Sequence, residues 1–76
     1  MKKVNIITFK SPNDAFQFKD EADTFGLNGR ILPTPRDLSV SCSFSYRTEE
    51  KEKLEAFLKI TKARYNKYIK DYEVKY

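Results

Sequence analysis

Cys42 is the side chain in this sequence whose type points most directly to covalent chemistry. It is the only cysteine among 76 residues, so it has no partner for a disulfide within the chain. Two serines flank it, Ser41 and Ser43, and Arg36 precedes it in the same segment. A lone cysteine is more often a small buried apolar residue than a reactive thiol. Both interpretations of Cys42 stay open at this point.

The residue types exclude much other chemistry. The chain has no histidine, which excludes a histidine-based catalytic triad, a histidine metal site and a histidine proton shuttle. One cysteine without histidine cannot form a soft-metal site within a single chain, so we expect no metal and no cofactor. No glycine-rich phosphate loop and no pair of carboxylates stands out. These exclusions favour a binding module over a true enzyme.

Length and charge are those of a small domain. A chain of 76 residues has room for one hydrophobic core, so we expect residues 1–76 to form one domain. Lysine and arginine number 15 against 11 acidic residues, a net charge of +4. The basic residues are scattered along the chain, which indicates a solvated surface rather than a nucleic-acid patch. No membrane-length apolar run and no signal segment is present, and we expect a cytoplasmic protein.

The first half of the chain predicts a strand, a helix and a second strand. Lys3–Phe9 is dense in β-branched and aromatic residues on both faces, which is typical of a central strand. Ser11 and Pro12 are suited to begin a helix, and Gly26 is suited to end it. Apolar residues recur between them at helical spacing. Arg30–Leu32 predicts a short second strand that ends at the prolines.

The second half predicts a loop, a strand, a helix and a final strand. Thr34–Ser41 is the expected loop, and Cys42–Arg47 alternates apolar with polar residues, which places its cysteine and aromatic residues on one face of a regular strand. Thr48 is suited to cap the second helix, and Asn66 to end it. Tyr68–Tyr76 is the expected last strand. The expected inward-facing residues of the helix are Leu54, Phe57, Leu58, Thr61 and Tyr65.

This order of elements predicts an α+β fold. Two βαβ halves of such length pack most simply as a ferredoxin-like βαββαβ sandwich, with a four-stranded antiparallel sheet and two helices on one face. The right-handed crossover rule removes most competing topologies. Because many functions occur on this fold, the fold by itself does not identify one.

A compact pattern precedes the cysteine: a T-P-R triplet, an acidic residue, an aliphatic residue and an S-C pair. In this chain the pattern consists of Thr34, Pro35, Arg36, Asp37, Leu38, Ser41 and Cys42. It resembles the signature of the putative selenium/sulfur carrier protein-like family of short bacterial domains. A first strand ending in T-F, a glycine-closed helix and an apolar strand ending in arginine extend the resemblance over nearly the whole chain. Members usually have glycine directly after the cysteine, whereas this chain has Ser43.

The resemblance implies a carrier that holds sulfur or selenium as a persulfide-type adduct on Cys42. The reactive form is the thiolate, and positive charge nearby increases its population. Arg36 is the residue best placed in the sequence to supply that charge. Ser41 and Ser43 are the expected hydrogen-bond donors to a sulfur anion.

Two further residues of the pattern are expected to shape the loop, and the carrier role implies protein partners. Thr34 lies beside Pro35, which restricts the backbone and holds the loop in one conformation. The implied partners are a cysteine desulfurase-type donor and an acceptor enzyme.

Two other functions remain open on sequence grounds. The open face of a four-stranded sheet can stack bases on aromatic side chains, as RNA-recognition domains do. The candidates are Ile6–Phe9 of the first strand with Phe44 and Tyr46 of the third, although the basic-glycine-aromatic opening of that class is absent. The same face is also suited to an interaction domain, including a homodimer, in which Cys42 is structural.

Overall fold

The fold is an antiparallel sheet with two helices, as the order of elements predicted. The computed structural model describes residues 2–35, 38 and 43–74. The sheet has four strands in the order β2-β3-β1-β4, and every neighbouring pair is antiparallel. The βαββαβ prediction is therefore confirmed. The elements are β1 (Lys2–Thr8), α1 (Pro12–Phe25), β2 (Gly29–Pro33), β3 (Phe44–Thr48), α2 (Lys51–Ile60) and β4 (Lys67–Val74).

Strand β1 lies in the middle of the sheet, between β3 and β4. Its adjacent residues Ile6 and Ile7 are both fully buried, yet they belong to different apolar clusters. Successive side chains of a strand point to opposite faces, so the two clusters lie on opposite faces of the sheet. The expectation of a central strand, apolar on both faces, is confirmed.

Helix α1 begins and ends at the residues that the sequence indicated. The side chain of Ser11 accepts a hydrogen bond from the Asp14 amide at 3.4 Å, and Pro12 occupies the first turn. Gly26 adopts a left-handed conformation with φ of 95°, and its N–H donates to the Ala22 carbonyl at 3.0 Å. Glycine reaches this conformation without the clash that a Cβ would cause, which explains the end of the helix.

The core on the helix side of the sheet is built around Phe18. Its ring lies edge-on to Phe9, Tyr46 and Phe57, with centroid separations of 5.4, 5.1 and 5.1 Å. Phe9 follows β1, Tyr46 lies in β3 and Phe57 in α2, so this cluster joins both helices to one face of the sheet. Each such ring contributes about 2–3 kcal/mol by leaving water, with a further small gain from the edge-on contacts.

Helix α2 differs from its prediction at both ends. Its N-cap is Glu50 rather than Thr48. The Thr48 hydroxyl instead accepts a hydrogen bond from the Glu50 amide at 3.1 Å and donates one to the Asn28 carbonyl at 2.7 Å. The helix ends at Ile60, well before Asn66, because Thr61 is extended and its hydroxyl accepts the Ala63 amide. Tyr65 therefore lies outside the helix.

The strand boundaries also shift. Strand β4 begins at Lys67 and is described to Val74, and its register with β1 changes between Val4 and Ile6. Asp71 lies at this bulge with a positive φ of 57°, and its amide donates to the buried Asn5 side chain at 3.3 Å. Strand β3 is described from Phe44 onwards, so the predicted position of Cys42 in this strand falls outside the described residues.

The sheet face away from the helices carries its own apolar cluster. Val4, Ile6 and Val74 are buried there, and Leu38, Ile69 and Tyr72 pack against them. Leu38 belongs to the connection between β2 and β3, so this connection covers part of the face. None of the described helices has the length and apolar character needed to cross a membrane.

The ionisation of two tyrosines is expected to lower the stability of the fold at alkaline pH. Burial, followed by the carboxylates of Asp23 and Glu50, raises the pKa of Tyr46 to about 12. Burial, followed by the 3.1 Å hydrogen bond to Glu55, raises the pKa of Tyr68 to about 12. Unfolded tyrosine titrates near pH 10. Both tyrosines therefore stabilise the fold fully below about pH 10, and this stabilisation is lost as the pH rises towards about 12.

Absorbance of tyrosinate, followed together with circular dichroism during a base titration, checks this prediction. Two of the five tyrosines should ionise only as the fold is lost. Replacing Tyr68 with phenylalanine should make the free energy of unfolding fall less steeply as the pH rises. Ionisation of all five near pH 10 with intact circular dichroism would contradict the prediction.

Candidate functional site

The connection between β2 and β3, residues 34–43, contains the predicted site and is called the motif loop below. Pro33 and Phe44 are the last paired residues of the two strands. The Thr34 amide then donates to the Ser43 carbonyl at 2.8 Å, which closes the neck of the loop. Because Pro33 and Pro35 have no N–H, Thr34 supplies the backbone donor of this stretch. The proline–threonine–proline sequence therefore sets where the strand pairing ends.

The motif loop is held against the sheet by a second contact. The Leu38 amide donates to the Pro35 carbonyl at 3.1 Å, which forms a local turn. The Leu38 side chain packs against the cluster of Val4, Ile6 and Val74 on the face away from the helices. Within the described residues of the loop, the neck and Leu38 are therefore held in place, and Leu38 lies on the sheet face away from the helices.

The structure describes half of the predicted site residues. Thr34 and Pro35 are partly buried at the neck, which agrees with a role in shaping the loop, and the side chain of Ser43 is exposed. Arg36, Ser41 and Cys42 lie outside the described residues, so their roles stay predictions. Cys42 is joined through its peptide bond to Ser43, whose carbonyl is fixed by Thr34.

An exposed aromatic pair lies directly beside the neck. Phe44 contacts Phe16 of α1 with a centroid separation of 6.3 Å, and the two residues are 38% and 55% exposed. From the sequence, Phe44 is a strand residue and a candidate for base stacking, and no pattern there pairs it with Phe16. Their adjacency depends on how α1 packs across the hairpin, which helical spacing alone does not reveal.

The aromatic platform suggested for base stacking is not available. Tyr46 is fully buried on the helix side, against Phe18, rather than on the open face. Phe44 shares that side because residues two apart in a strand point the same way. The open face itself is partly covered by Leu38. The prediction of a base-stacking surface built on these two residues is wrong, because the even positions of β3 face the helices.

Two arginines on the open face were missed as a pair. Arg30 of β2 lies directly opposite Arg47 of β3 in the sheet register. The sequence alone marks Arg47 only as the last residue of the predicted strand Cys42–Arg47. Arg47 lies four positions after Ser43, a span of about 13 Å along the strand. The register, which the sequence leaves undetermined, is what places the two arginines opposite each other in neighbouring strands.

Metal ligation finds no support within the part of the chain that the structure describes. No three cysteine, aspartate or glutamate side chains there are grouped closely enough to hold an ion. The acidic residue Asp71 is instead paired with Lys51 at 2.8 Å. The hydrogen bond between these two side chains is the largest cause that lowers the pKa of Asp71 and raises the pKa of Lys51.

Comparison with known proteins agrees with the resemblance seen in the motif. A family model described as "putative Se/S carrier protein-like" matches residues 5–73, which run from β1 to β4 and include the whole motif loop. No curated protein and no solved structure matches the chain. The chain belongs to the putative Se/S carrier protein-like family.

Proposed function

We propose that this protein carries a sulfur or selenium atom as a persulfide-type adduct on Cys42. Membership of the carrier-like family supports this function. The observation that carries the proposal is the closed neck of the motif loop. The 2.8 Å bond from the Thr34 amide fixes Ser43, the residue joined to the cysteine, beside exposed surface.

The proposed loading step is a thiol exchange at sulfur. The Cys42 thiolate attacks the outer sulfur of a persulfide on a cysteine desulfurase. A new S–S bond forms on Cys42, the S–S bond of the donor breaks, and the donor cysteine leaves as a thiolate. Electrons balance without an added oxidant or reductant. Discharge to an acceptor repeats the same exchange in the other direction.

The surroundings of Cys42 are proposed to favour the thiolate. Arg36 supplies positive charge, while Ser41 and Ser43 supply hydroxyl donors to the sulfur anion. The exposed Ser43 side chain and the rigid backbone on its carbonyl side are consistent with this role. Thr34 and Pro35 act indirectly, by holding the neck of the loop in one conformation.

The sulfur donor is proposed to contact the aromatic pair Phe16 and Phe44. Aromatic side chains are enriched in protein interfaces, where they often serve as anchors. This pair begins one residue after Ser43, so a donor that reaches Cys42 approaches it as well.

Replacing Phe16 and Phe44 with alanine should slow loading by a desulfurase about tenfold, the loss typical of an interface anchor. The rate of Cys42 alkylation by iodoacetamide should stay unchanged, because a small reagent needs no docking surface. Ile60→Ala, at a 64% exposed apolar residue of α2, is the matched control and should load normally. Equal slowing of loading and alkylation would show that the pair acts on the loop rather than on the donor.

Incubation with cysteine and a cysteine desulfurase, followed by intact mass measurement, tests the function. The protein should gain the mass of one sulfur atom, and peptide mapping should locate it on Cys42. A parallel reaction with selenocysteine decides whether selenium is also accepted. The absence of an adduct in both reactions, with an active desulfurase, would refute the carrier function.

A further inference from the structure

A groove of about 290 Å³ lies between α1 and α2. Phe57 is its buried floor, and the ring of Phe25 lies 5.3 Å from the Phe57 ring between centroids. Phe25 is 37% exposed and Ile60 is 64% exposed, so the two helices leave apolar surface uncovered here. The structure describes every residue that lines the groove, namely Asp20, Glu21, Thr24, Phe25, Phe57, Ile60 and Thr61.

The α1 side of the groove is acidic. This helix has four carboxylates and one lysine, although the whole chain has a net charge of +4. That lysine, Lys19, is paired with Asp23 at 2.7 Å. Glu21 accepts a hydrogen bond from the uncharged Thr61 hydroxyl at 3.1 Å. Among the described residues, neither Asp20 nor Glu21 has a cationic partner, so the edge of the groove keeps two negative charges.

The α2 side adds acceptors to this negative edge. Helix α2 ends at Ile60, beside the groove. The last turn of a helix leaves carbonyl groups without intrahelical partners and has a partial negative charge. Lys59 of this turn is exposed and does not line the groove. The Lys53 amine lies beside Gly26, which is six positions beyond Asp20, about 9 Å along the helix.

The charge of the groove selects the class of partner. Nucleic acids and anionic membrane surfaces have negative charge, which Asp20 and Glu21 repel. Contact between the same grooves of two copies would place these carboxylates against each other, and like charges across an interface are unfavourable. A cationic protein segment with one apolar side, in contrast, complements both the carboxylates and the exposed apolar side chains.

We propose that the groove between α1 and α2 binds an amphipathic, cationic helix of a partner protein. Grooves of this kind take the apolar face of a helix through side chains at positions i, i+3, i+4 and i+7. The apolar side chains of the partner cover Phe25 and Ile60. Its lysine or arginine side chains lie beside Asp20 and Glu21, and the partner adds a third helix to the layer.

This surface is separate from the carrier site. Phe16 and Phe25 are nine positions apart in α1, about two and a half helical turns, so they point to opposite sides of the helix. Phe16 contacts Phe44 of β3, whereas Phe25 contacts α2. Leu38 of the motif loop packs on the sheet face away from both helices. The Cys42→Ser variant should therefore bind the partner helix as the wild type does, and binding and sulfur loading succeed or fail separately.

Fluorescence anisotropy with two labelled peptides tests the proposal at physiological ionic strength. Each peptide has about 18 residues, about five helical turns, with leucine at helical spacing. Lysine fills the other positions of one peptide and glutamate those of the second. The net charge of +4 favours the glutamate peptide, whereas the groove favours the lysine peptide. We expect the lysine peptide to bind roughly tenfold more tightly.

Two pairs of variants at exposed positions locate the binding on the groove. Ile60→Ala should weaken binding of the lysine peptide roughly tenfold, since apolar surface is lost. Phe16→Ala, on the other side of α1, should leave it unchanged. Asp20→Lys should weaken it roughly tenfold or more through like-charge repulsion. Glu73→Lys is the matched control, because it changes the net charge equally at a residue outside the groove.

Equal or tighter binding of the glutamate peptide would overturn the proposal. Equal losses in Asp20→Lys and Glu73→Lys would do the same, because binding would then follow net charge, and so would unchanged binding in Ile60→Ala. Sedimentation equilibrium without peptide should give the same mass for the wild type and Ile60→Ala. A wild-type dimer that Ile60→Ala dissociates would show that a second copy occupies the groove, which would also overturn the proposal.

Discussion

Replacing Cys42 with serine should abolish sulfur loading completely while leaving the unfolding transition unchanged. Serine is nearly isosteric, but its hydroxyl cannot accept sulfur from a persulfide, since the exchange requires a thiolate. The neck bond between Thr34 and Ser43 joins backbone atoms and does not depend on the cysteine side chain. Intact mass after incubation with a desulfurase measures loading, and urea denaturation measures stability.

A double variant that combines Cys42→Ser with Ser43→Cys provides the matched control. It retains one thiol but moves it by one residue, onto a position that the structure shows to be exposed. The new thiol is attached about 3.8 Å further along the chain, away from the position at which Arg36 and Ser41 are proposed to favour the thiolate. Loading should fall about a hundredfold, as expected for a misplaced reacting atom. Wild-type loading by the double variant would mean that any exposed thiol is sufficient.

Gly29→Ala should be the most destabilising single change at a glycine in this chain. A Cβ at Gly29 would lie 2.3 Å from two atoms of Tyr46, its Cζ and its hydroxyl oxygen. The ring cannot move aside, because Tyr46 is fully buried and lies edge-on against Phe18 at 5.1 Å. Overpacking of this kind costs about 3 kcal/mol. For a domain of this size that loss lowers the melting temperature by roughly 12 °C or more.

Gly26→Ala gives the comparison for this prediction. Gly26 has a left-handed conformation, but its added Cβ would meet only the Lys53 amine at 3.8 Å. The expected loss is about 1 kcal/mol, the strain of a Cβ at positive φ. Adding Tyr46→Phe to Gly29→Ala should recover part of the larger loss, because it removes one of the two nearest atoms. Equal melting temperatures for the two alanine variants would contradict the predicted contact.

The sequence predicted those features that depend on neighbours in the chain. The start of α1 at Ser11 and Pro12 and its end at Gly26 follow from capping residues, and the central position of β1 follows from apolar residues on both faces. The early end of α2 is not visible in the sequence pattern. It depends on a hydrogen bond from the Ala63 amide to the Thr61 hydroxyl, two residues earlier, which takes the place of a helical backbone bond.

The features that were missed depend on register and packing. No local pattern shows that Leu38 covers the open face or that Arg30 faces Arg47, since both follow from how distant segments pair. The candidate site is predicted only in part for the same reason. Its motif was recognisable from the sequence, and the structure adds the closed neck and the exposed Phe16–Phe44 pair.

Release of the carried atom tests the central claim most directly, because a carrier must give up what it accepts. After loading with a desulfurase and cysteine, the protein is treated with cyanide, which removes the outer sulfur of a persulfide as thiocyanate and returns the thiolate. We expect one thiocyanate for each loaded protein, return of the mass to that of the unmodified chain, and no thiocyanate from the Cys42→Ser variant. A wild-type protein that gains no sulfur, or holds an adduct that cyanide leaves in place, would contradict the account.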